Sequence, residues 1–209
     1  MRKTLIGLAM LVAANLAQAG AYDDIIAAAN NGDAPSVIDL LKRGMDVNTA
    51  DRSGSTLLMI AARNGDQALL EALLANRASV NRRNQFGDTA LLLATLKGQL
   101  DAVRALVGKG ADLNPSGWAP LHYAMFGDSR EIAAFLVAKG AKLDARAPNG
   151  QTALMLAVKL GKADLVRLLI EAGANKDLAD EEGLTALRLA KKLGHQDIAT
   201  YLRKAGATE

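Results

Sequence analysis

Along this chain apolar residues come in adjacent pairs four positions apart: Leu69-Leu70 and Leu73-Leu74, then Leu165-Val166 and Leu169-Ile170. Such spacing lays one stripe along one face of a helix. Ahead of each stripe stands a shorter apolar phrase. It reads Thr56-Leu57-Leu58-Met59-Ile60-Ala61, Thr89-Ala90-Leu91-Leu92-Leu93-Ala94, Thr152-Ala153-Leu154-Met155-Leu156-Ala157 and Thr185-Ala186-Leu187-Arg188-Leu189-Ala190. A fifth variant, Gly117-Trp118-Ala119-Pro120-Leu121-His122-Tyr123-Ala124, has a turn glycine and a proline at the first helical position. There the missing N–H of proline costs nothing and its fixed φ suits the helix.

The opening residues Thr56, Thr89, Ala119, Thr152 and Thr185 lie 33, 30, 33 and 33 apart. Nine residues after each opening come Gly65, Gly98, Asp128, Gly161 and Gly194, with Gly127 one place early in the Pro120 copy. Twenty-one residues after each come Arg77, Gly110, Gly140, Gly173 and Gly206. A glycine closing each unit suits a left-handed helix C-cap. Each unit therefore reads as helix, tight turn, helix and a longer polar connection.

A period of 33 with a T-P-L-H-like phrase resembles the ankyrin repeat. The resemblance runs from about Ala21 to the C-terminus, and the implied fold is an all-α-dominated ankyrin-repeat solenoid of about six helix-turn-helix repeats with short hairpin-like fingers. The expected boundaries are a degenerate N-terminal capping repeat at 20–50, then repeats at 51–83, 84–113 (with a shortened exit loop), 114–146 and 147–179, and a C-terminal capping repeat at 180–209. Ala28, Ala29, Gly32, Leu40, Leu41, Gly44 and Asn48 carry the register of the first copy. Atypical ends are expected, because a terminal repeat turns one face to water.

Residues 1–19 stand outside the repeats. Arg2 and Lys3 precede an apolar run from Leu5 to Leu16, and Ala17-Gln18-Ala19 supplies small residues at the cleavage spacing. That is the pattern of a secretory signal peptide, and the run is short for a membrane span. The expected mature protein is a secreted, periplasmic chain beginning at Gly20, of the exported bacterial type. The whole chain has 25 basic and 22 acidic residues, so losing Arg2 and Lys3 leaves 23 against 22. That balance points to neither nucleic acid nor an anionic membrane as partner. With no cysteine, stability must come from stacked helices in one elongated domain, expected to be monomeric.

Most repeated residues have scaffold roles. The four threonines are placed to cap their helices, each worth about 1 kcal/mol; Ala119 cannot. Leu58, Leu91, Leu121, Leu154 and Leu187 should face the core between repeats, and Ala61, Ala94, Ala124, Ala157 and Ala190 should let neighbouring helices approach. The resemblance implies that His122 hydrogen-bonds loop backbone. His195 is expected at the surface. Two histidines 73 residues apart without cysteine make no zinc site. No His-Glu-x-x-His, Gly-x-Ser-x-Gly or phosphate-cradling glycine motif occurs. No catalytic residue, metal or cofactor is assigned.

The resemblance implies protein recognition, through the fingers and the two residues before each inter-helix glycine. The candidate partner-binding residues are Arg82, Arg83, Gln85, Phe86, Leu96 and Lys97, then Trp118, Tyr123, Met125 and Phe126, then Lys159 and Leu160. In the last repeat the same positions hold Glu181, Glu182 and Leu184, then Lys192 and Leu193. The chain has only seven aromatic residues, and Phe86, Trp118, Tyr123 and Phe126 cluster in the third and fourth repeats. Scarce aromatics gathered on a concave middle fit a binding hot spot. Trp118 has two readings: a contact for a partner, or a plug where the Asn114–Trp118 connection is three residues shorter than its siblings. Tyr22, Phe135 and Tyr201 read as core or cap residues. Charge is graded too, with Arg82-Arg83 basic on one finger and Asp180, Glu181 and Glu182 acidic on the last.

The leading functional expectation is a non-catalytic periplasmic adaptor or inhibitor, immunity-like, holding a protein partner in a concave groove. Support of a periplasmic stress enzyme such as a catalase is a variant of it. The alternative is a small-ligand or peptidoglycan-fragment binding protein, with Trp118, Tyr123 and Phe126 stacking on the ligand. A deep cleft beside Trp118 would favour that reading, an open face the protein one.

Overall fold

The computed structural model describes residues 20–208. The expected signal peptide, 1–19, lies outside them. From residue 20 the chain is a run of short helices. A helix at 20–30, α1, precedes α2 (Ala34–Lys42); α3 (Leu57–Asn64) pairs with α4 (Gln67–Ala75), and α5 (Ala90–Leu96) precedes α6 (Leu100–Gly108). Then come α7 (Pro120–Phe126) with α8 (Arg130–Ala138), α9 (Ala153–Lys159) with α10 (Ala163–Glu171), and α11 (Ala186–Lys192) with α12 (Gln196–Lys204). From α3 on, a shorter first helix alternates with a nine-residue second helix, as the two apolar phrases predict. Among the described residues there is no strand. Two isolated antiparallel bridges, Ala50–Thr56 and Ala179–Thr185, close the first and last fingers.

Helices of this length do not persist alone in water, so packing must hold them. The first helices are buried almost throughout: Leu57 to Ala62 in α3 and Ala153 to Val158 in α9 are all core. The second helices bury one stripe only, such as Ile132, Ala133 and Leu136 of α8. Each fully buried leucine contributes about 1.5–3 kcal/mol, several times the helix propensity of any residue in it. Where the repeat pattern predicts one domain, the contacts cluster into two compact units, Met1–Ala90 (described from residue 20) and Leu91–Glu209 (described to 208). Repeats that touch only their neighbours share no global core. In the second unit α7 packs on α9 and α9 on α11, while α8 packs on α10 and α10 on α12.

Local hydrogen bonds start and stop these helices. Thr56, Thr152 and Thr185 accept the backbone N–H three residues on, from Met59 at 3.2 Å, Met155 at 3.4 Å and Arg188 at 3.3 Å. Thr89 is buried at the corresponding place. Asp33, Asp66 and Ser129 cap second helices in the same way. Four fingers are closed by a backbone bond across four residues, from Asp51 to Ser55, Asn84 to Asp88, Ala147 to Gln151 and Asp180 to Leu184. In three of the four the first side chain also accepts two finger N–H groups: Asp51 from Ser53 and Ser55, Asn84 from Phe86 and Asp88, Asp180 from Glu182 and Leu184. These are Asx turns. Ala147 cannot make one, and Asn149 accepts the Gln151 N–H instead, at 3.2 Å.

A second set of side chains joins one repeat to the next. Asn48 Oδ1 accepts the Ser79 N–H at 2.8 Å, Asn114 Oδ1 that of Lys142 at 2.7 Å, Asp144 Oδ1 that of Asn175 at 2.9 Å and Asp177 Oδ1 that of Thr208 at 2.7 Å. The Thr208 hydrogen bonds, with Lys176 nearby, hold the Asp177 carboxyl below the usual 3.8.

The turn between α7 and α8 departs from the other copies. Gly127 has φ −73°, a conformation open to any residue. It must be glycine for another reason: a Cβ there would lie 2.8 Å from the Thr95 carbonyl oxygen and 2.9 Å from that of Leu96. The left-handed slot falls to Asp128 at φ 50°, whose carboxylate meets Lys162 Nζ at 2.7 Å. Arg77, also in a glycine slot, takes φ 60°.

Two substitutions test this backbone reading by urea unfolding. Gly127→Ala should cost about 1–3 kcal/mol, since two carbonyls must move. Arg77→Gly should gain up to about 1 kcal/mol, as the left-handed penalty is relieved against some chain entropy. Equal effects at the two sites would contradict the assignment.

Candidate functional site

The expected partner-binding residues fall in both units. In the first, Asn84 organises the finger from 82 to 88. Arg82 and Arg83 are exposed, but each guanidinium reaches a backbone oxygen: Arg82 that of Asn48 at 3.3 Å, Arg83 that of Gly87 at 2.8 Å. Gln85 is held to the preceding finger, its N–H on the Ser53 carbonyl and its amide on the Arg52 carbonyl, both at 2.9 Å. Phe86 projects from the tip at 77% exposure. The basic finger is thus a held loop with an aromatic tip.

In the second unit the sequence phrase around Pro120 builds an aromatic cluster. Trp118 precedes the N-cap of α7, His122 lies in the first turn and Phe126 ends the helix, a spacing of four that puts all three on one side. The Trp118 ring stands edge-on to His122, centroids 5.7 Å apart at 81°, and leans on Phe126 at 5.7 Å and 52°. Trp118 is half-buried, so it packs on the scaffold and retains exposed surface. Tyr123 is half-buried and Phe126 is 45% exposed. Met125 belongs to the core at 0% exposure, a correction to its expected place on the recognition surface. Helix geometry gives the reason: Met125 falls four residues after Leu121 and faces inward with it.

His122 is buried and bonded at both nitrogens. Nδ1 accepts the Ala119 N–H at 3.0 Å, the reciprocal half of a capping box, while the half that an N-cap side chain supplies is missing at Ala119. Nε2 then carries the proton and donates to the Ala145 carbonyl in the next connection, 3.1 Å away. Burial lowers its pKa below the usual 6.5, outweighing the Ala145 bond that favours the charged ring. A protonated ring would also point a second N–H at that of Ala119. The neutral ring is a brace beneath Trp118, with no free nitrogen for chemistry.

At the ends of the first helices of this unit, Leu96 is half-buried and Lys97 exposed, while Lys159 is exposed beside Leu160 at 40%. Leu193, 45% exposed, belongs with Phe126 and Leu160. Its signal was the Lys192-Leu193 pair, which repeats Lys159-Leu160 33 residues on. His195, expected at the surface, is half-buried against Gly161. Tyr22 donates to the Ala50 carbonyl, Lys139 lies 5.7 Å from the Phe135 ring, and Arg167 lies 5.8 Å from that of Tyr201. Tyr22 and Phe135 make these contacts within their own repeats, and Tyr201 makes its contact across to α10.

Three cavities lie elsewhere: about 600 Å³ between α1 and α2 around Asp24 and Asp39, about 430 Å³ beside Tyr22 and Arg52, and about 480 Å³ along 141–145. Trp118 and Phe126 line none of the three. Among the described residues no group of His, Asp and Glu could hold a metal ion, and no helix is long and apolar enough to cross a membrane.

The His122 geometry has a pH signature. Its folded pKa is depressed, so its contribution to stability is present above pH 6.5 and is lost as pH falls through the folded value. The urea midpoint should fall between pH 7.5 and pH 5, and His122→Gln should flatten that fall. The carboxylates held low, such as Asp177, act only at more acid pH. A variant keeping the wild-type slope would refute the role given to His122.

Among curated proteins none matches this chain. The family described as ankyrin repeats, in 3 copies, matches residues 25–115, 58–147 and 140–208, nearly all of the described chain. With the helix pairs, turn residues and caps above, that coverage settles the family: this chain is a member of the ankyrin repeat proteins.

Proposed function

We propose that this chain is a non-catalytic protein-binding module exported to the periplasm, acting as an adaptor or as an immunity-like inhibitor. Ankyrin repeats generally mediate protein–protein interactions, and that is the coarse part of the reading. The finer part rests on one observation. The large apolar side chains exposed in the second unit, Phe126, Leu160 and Leu193, all stand at the C-terminal ends of first helices. Exposed apolar residues scattered singly mean little, but a set in register on adjacent helices marks an interaction face. Phe126 backed by Trp118 is the anchor: a rigid aromatic pair already ordered before binding, which lowers the entropic cost of association. A secreted or wall-degrading enzyme and a periplasmic stress enzyme such as a catalase are partners of the same class. Export rests on the leader-like pattern of 1–19.

Capture from the native envelope extract, with wild type beside Phe126→Ala/Leu160→Ala, tests the binding face. Both side chains are partly exposed and lie outside the core, so the variant should stay folded with a modestly lowered melting temperature. A captured protein should be lost from the variant, its affinity falling at least about tenfold. An identical captured set from both proteins would remove this face from consideration. Export has its own readout: the mass of the native protein should place its N-terminus at Gly20, and a chain starting at Met1 would reject it.

A further inference from the structure

The second unit sorts its charges by helix. The first helices α7, α9 and α11 contain no aspartate or glutamate, and α9 and α11 end in lysine. The second helices α6, α8, α10 and α12 each carry an acidic residue in the first turn: Asp101, Glu131, Asp164 and Asp197. Lys159 and Lys192 are exposed at the same helix ends as Leu160 and Leu193, and Lys97 is exposed just after α5; α7, which ends in Phe126, carries no lysine there. Lys192 meets Glu182 at 3.9 Å, both largely exposed, a pairing too weak to hold it from a partner. Asp128, the carboxylate of the α7–α8 turn, is taken up by Lys162. The face is apolar and cationic.

The helix dipole accounts for lysines at helix C-termini. It does not account for exposed leucines. The first unit fills the same positions with Arg63 and Asn64, which bond Asn30 at 3.0 and 3.4 Å. A polar pair therefore suffices for the scaffold, and the apolar residues of the second unit need another explanation.

Resting on the protein-binding reading, we infer that the face formed by Phe126, Leu160, Leu193 and their neighbouring lysines receives an acidic amphipathic helix of a protein partner. A helix is the partner element whose period comes near the separation of packed helices. Neighbouring packed helices lie about 8–10 Å apart, and a partner helix repeats one face every seven residues, about 10.5 Å at 1.5 Å per residue. An extended strand offers one face about every 6.7 or 13 Å, further from the upper end of that range. Carboxylates beside the heptad apolar residues meet Lys97, Lys159 and Lys192, which favours this sign of charge and speeds encounter.

The probe is a synthetic helical peptide of about 21 residues, roughly 32 Å long, with leucine at every seventh position and flanking glutamates. Its counterparts replace glutamate by lysine, or keep the composition and scramble the heptad. Binding to the full chain is followed by calorimetry and by the emission of Trp118, the only tryptophan. The glutamate heptad peptide should bind about tenfold or more tightly than either counterpart at low salt, and lose affinity as salt rises. Lys159→Glu/Lys192→Glu should reverse the preference toward the lysine peptide in a chain that still folds, with its melting temperature modestly lowered by the lost dipole interaction. Equal affinity for the three peptides, no binding at millimolar concentration, or tighter binding to phosphatidylglycerol vesicles would each overturn the inference. Failure here with an envelope protein still lost from Phe126→Ala/Leu160→Ala would refute the acidic helix and leave protein binding standing. Failure of both would remove the face altogether.

Discussion

One kind of hydrogen bond, made between four pairs of neighbouring repeats, sets the register on which the rest relies. Asn48, Asn114, Asp144 and Asp177 each reach from one connection to a backbone N–H of the next. The apolar stripes of α8, α10 and α12 would hold together over a range of sliding positions, because hydrophobic burial has no direction. A carboxamide or carboxylate at 2.7–2.9 Å does have one. It fixes how far each helix pair advances, and so which residues of the first helices meet. Burial supplies most of the free energy, and these rungs choose among the arrangements burial allows.

The fourth repeat shows what happens when that scheme loses residues. Its connection is three residues shorter, its N-cap is an alanine and its turn glycine is displaced. Four residues shape the altered connection and turn. His122 occupies Ala119 N–H and ties α7 to the next connection through Ala145. Trp118 covers the histidine. Gly127 lets the turn approach the end of α5, and Asp128 takes the left-handed position and an ion pair with Lys162. The aromatic cluster thus lies where the connection is shortest, and its outer member, Phe126, is an exposed aromatic against Trp118.

What the sequence made legible was what depends on neighbours along the chain. Thr56, Thr152 and Thr185 cap their helices, Leu121 and Leu154 are buried, and Arg77 and Asp128 occupy glycine slots, all readable from period and local chemistry. The register rungs were not readable, because the partner of Asn48 or Asp144 is about thirty residues away and nothing in either short phrase names it. The Asx turns at Asp51, Asn84 and Asp180 were hidden for a different reason: polar residues in a polar connection carry no contrast. Met125 and Phe126 are adjacent with similar hydrophobicity, and only the rotation of α7 against its neighbours sends one to the core and the other to water.

The last rung, from Asp177 to Thr208, has a mechanical consequence. Thr208 gives both its N–H and its hydroxyl to that carboxylate, at 2.7 and 2.8 Å, so the final turn is clipped to the repeat before it. Tension applied at the C-terminus would load this clip first, and α12 could not peel away until it broke. Beyond it the load would pass to the Asp144–Asn175 rung, and then to Asn114–Lys142. In that unit the hydrogen bonds that set register would act as catches in series, giving way one repeat at a time.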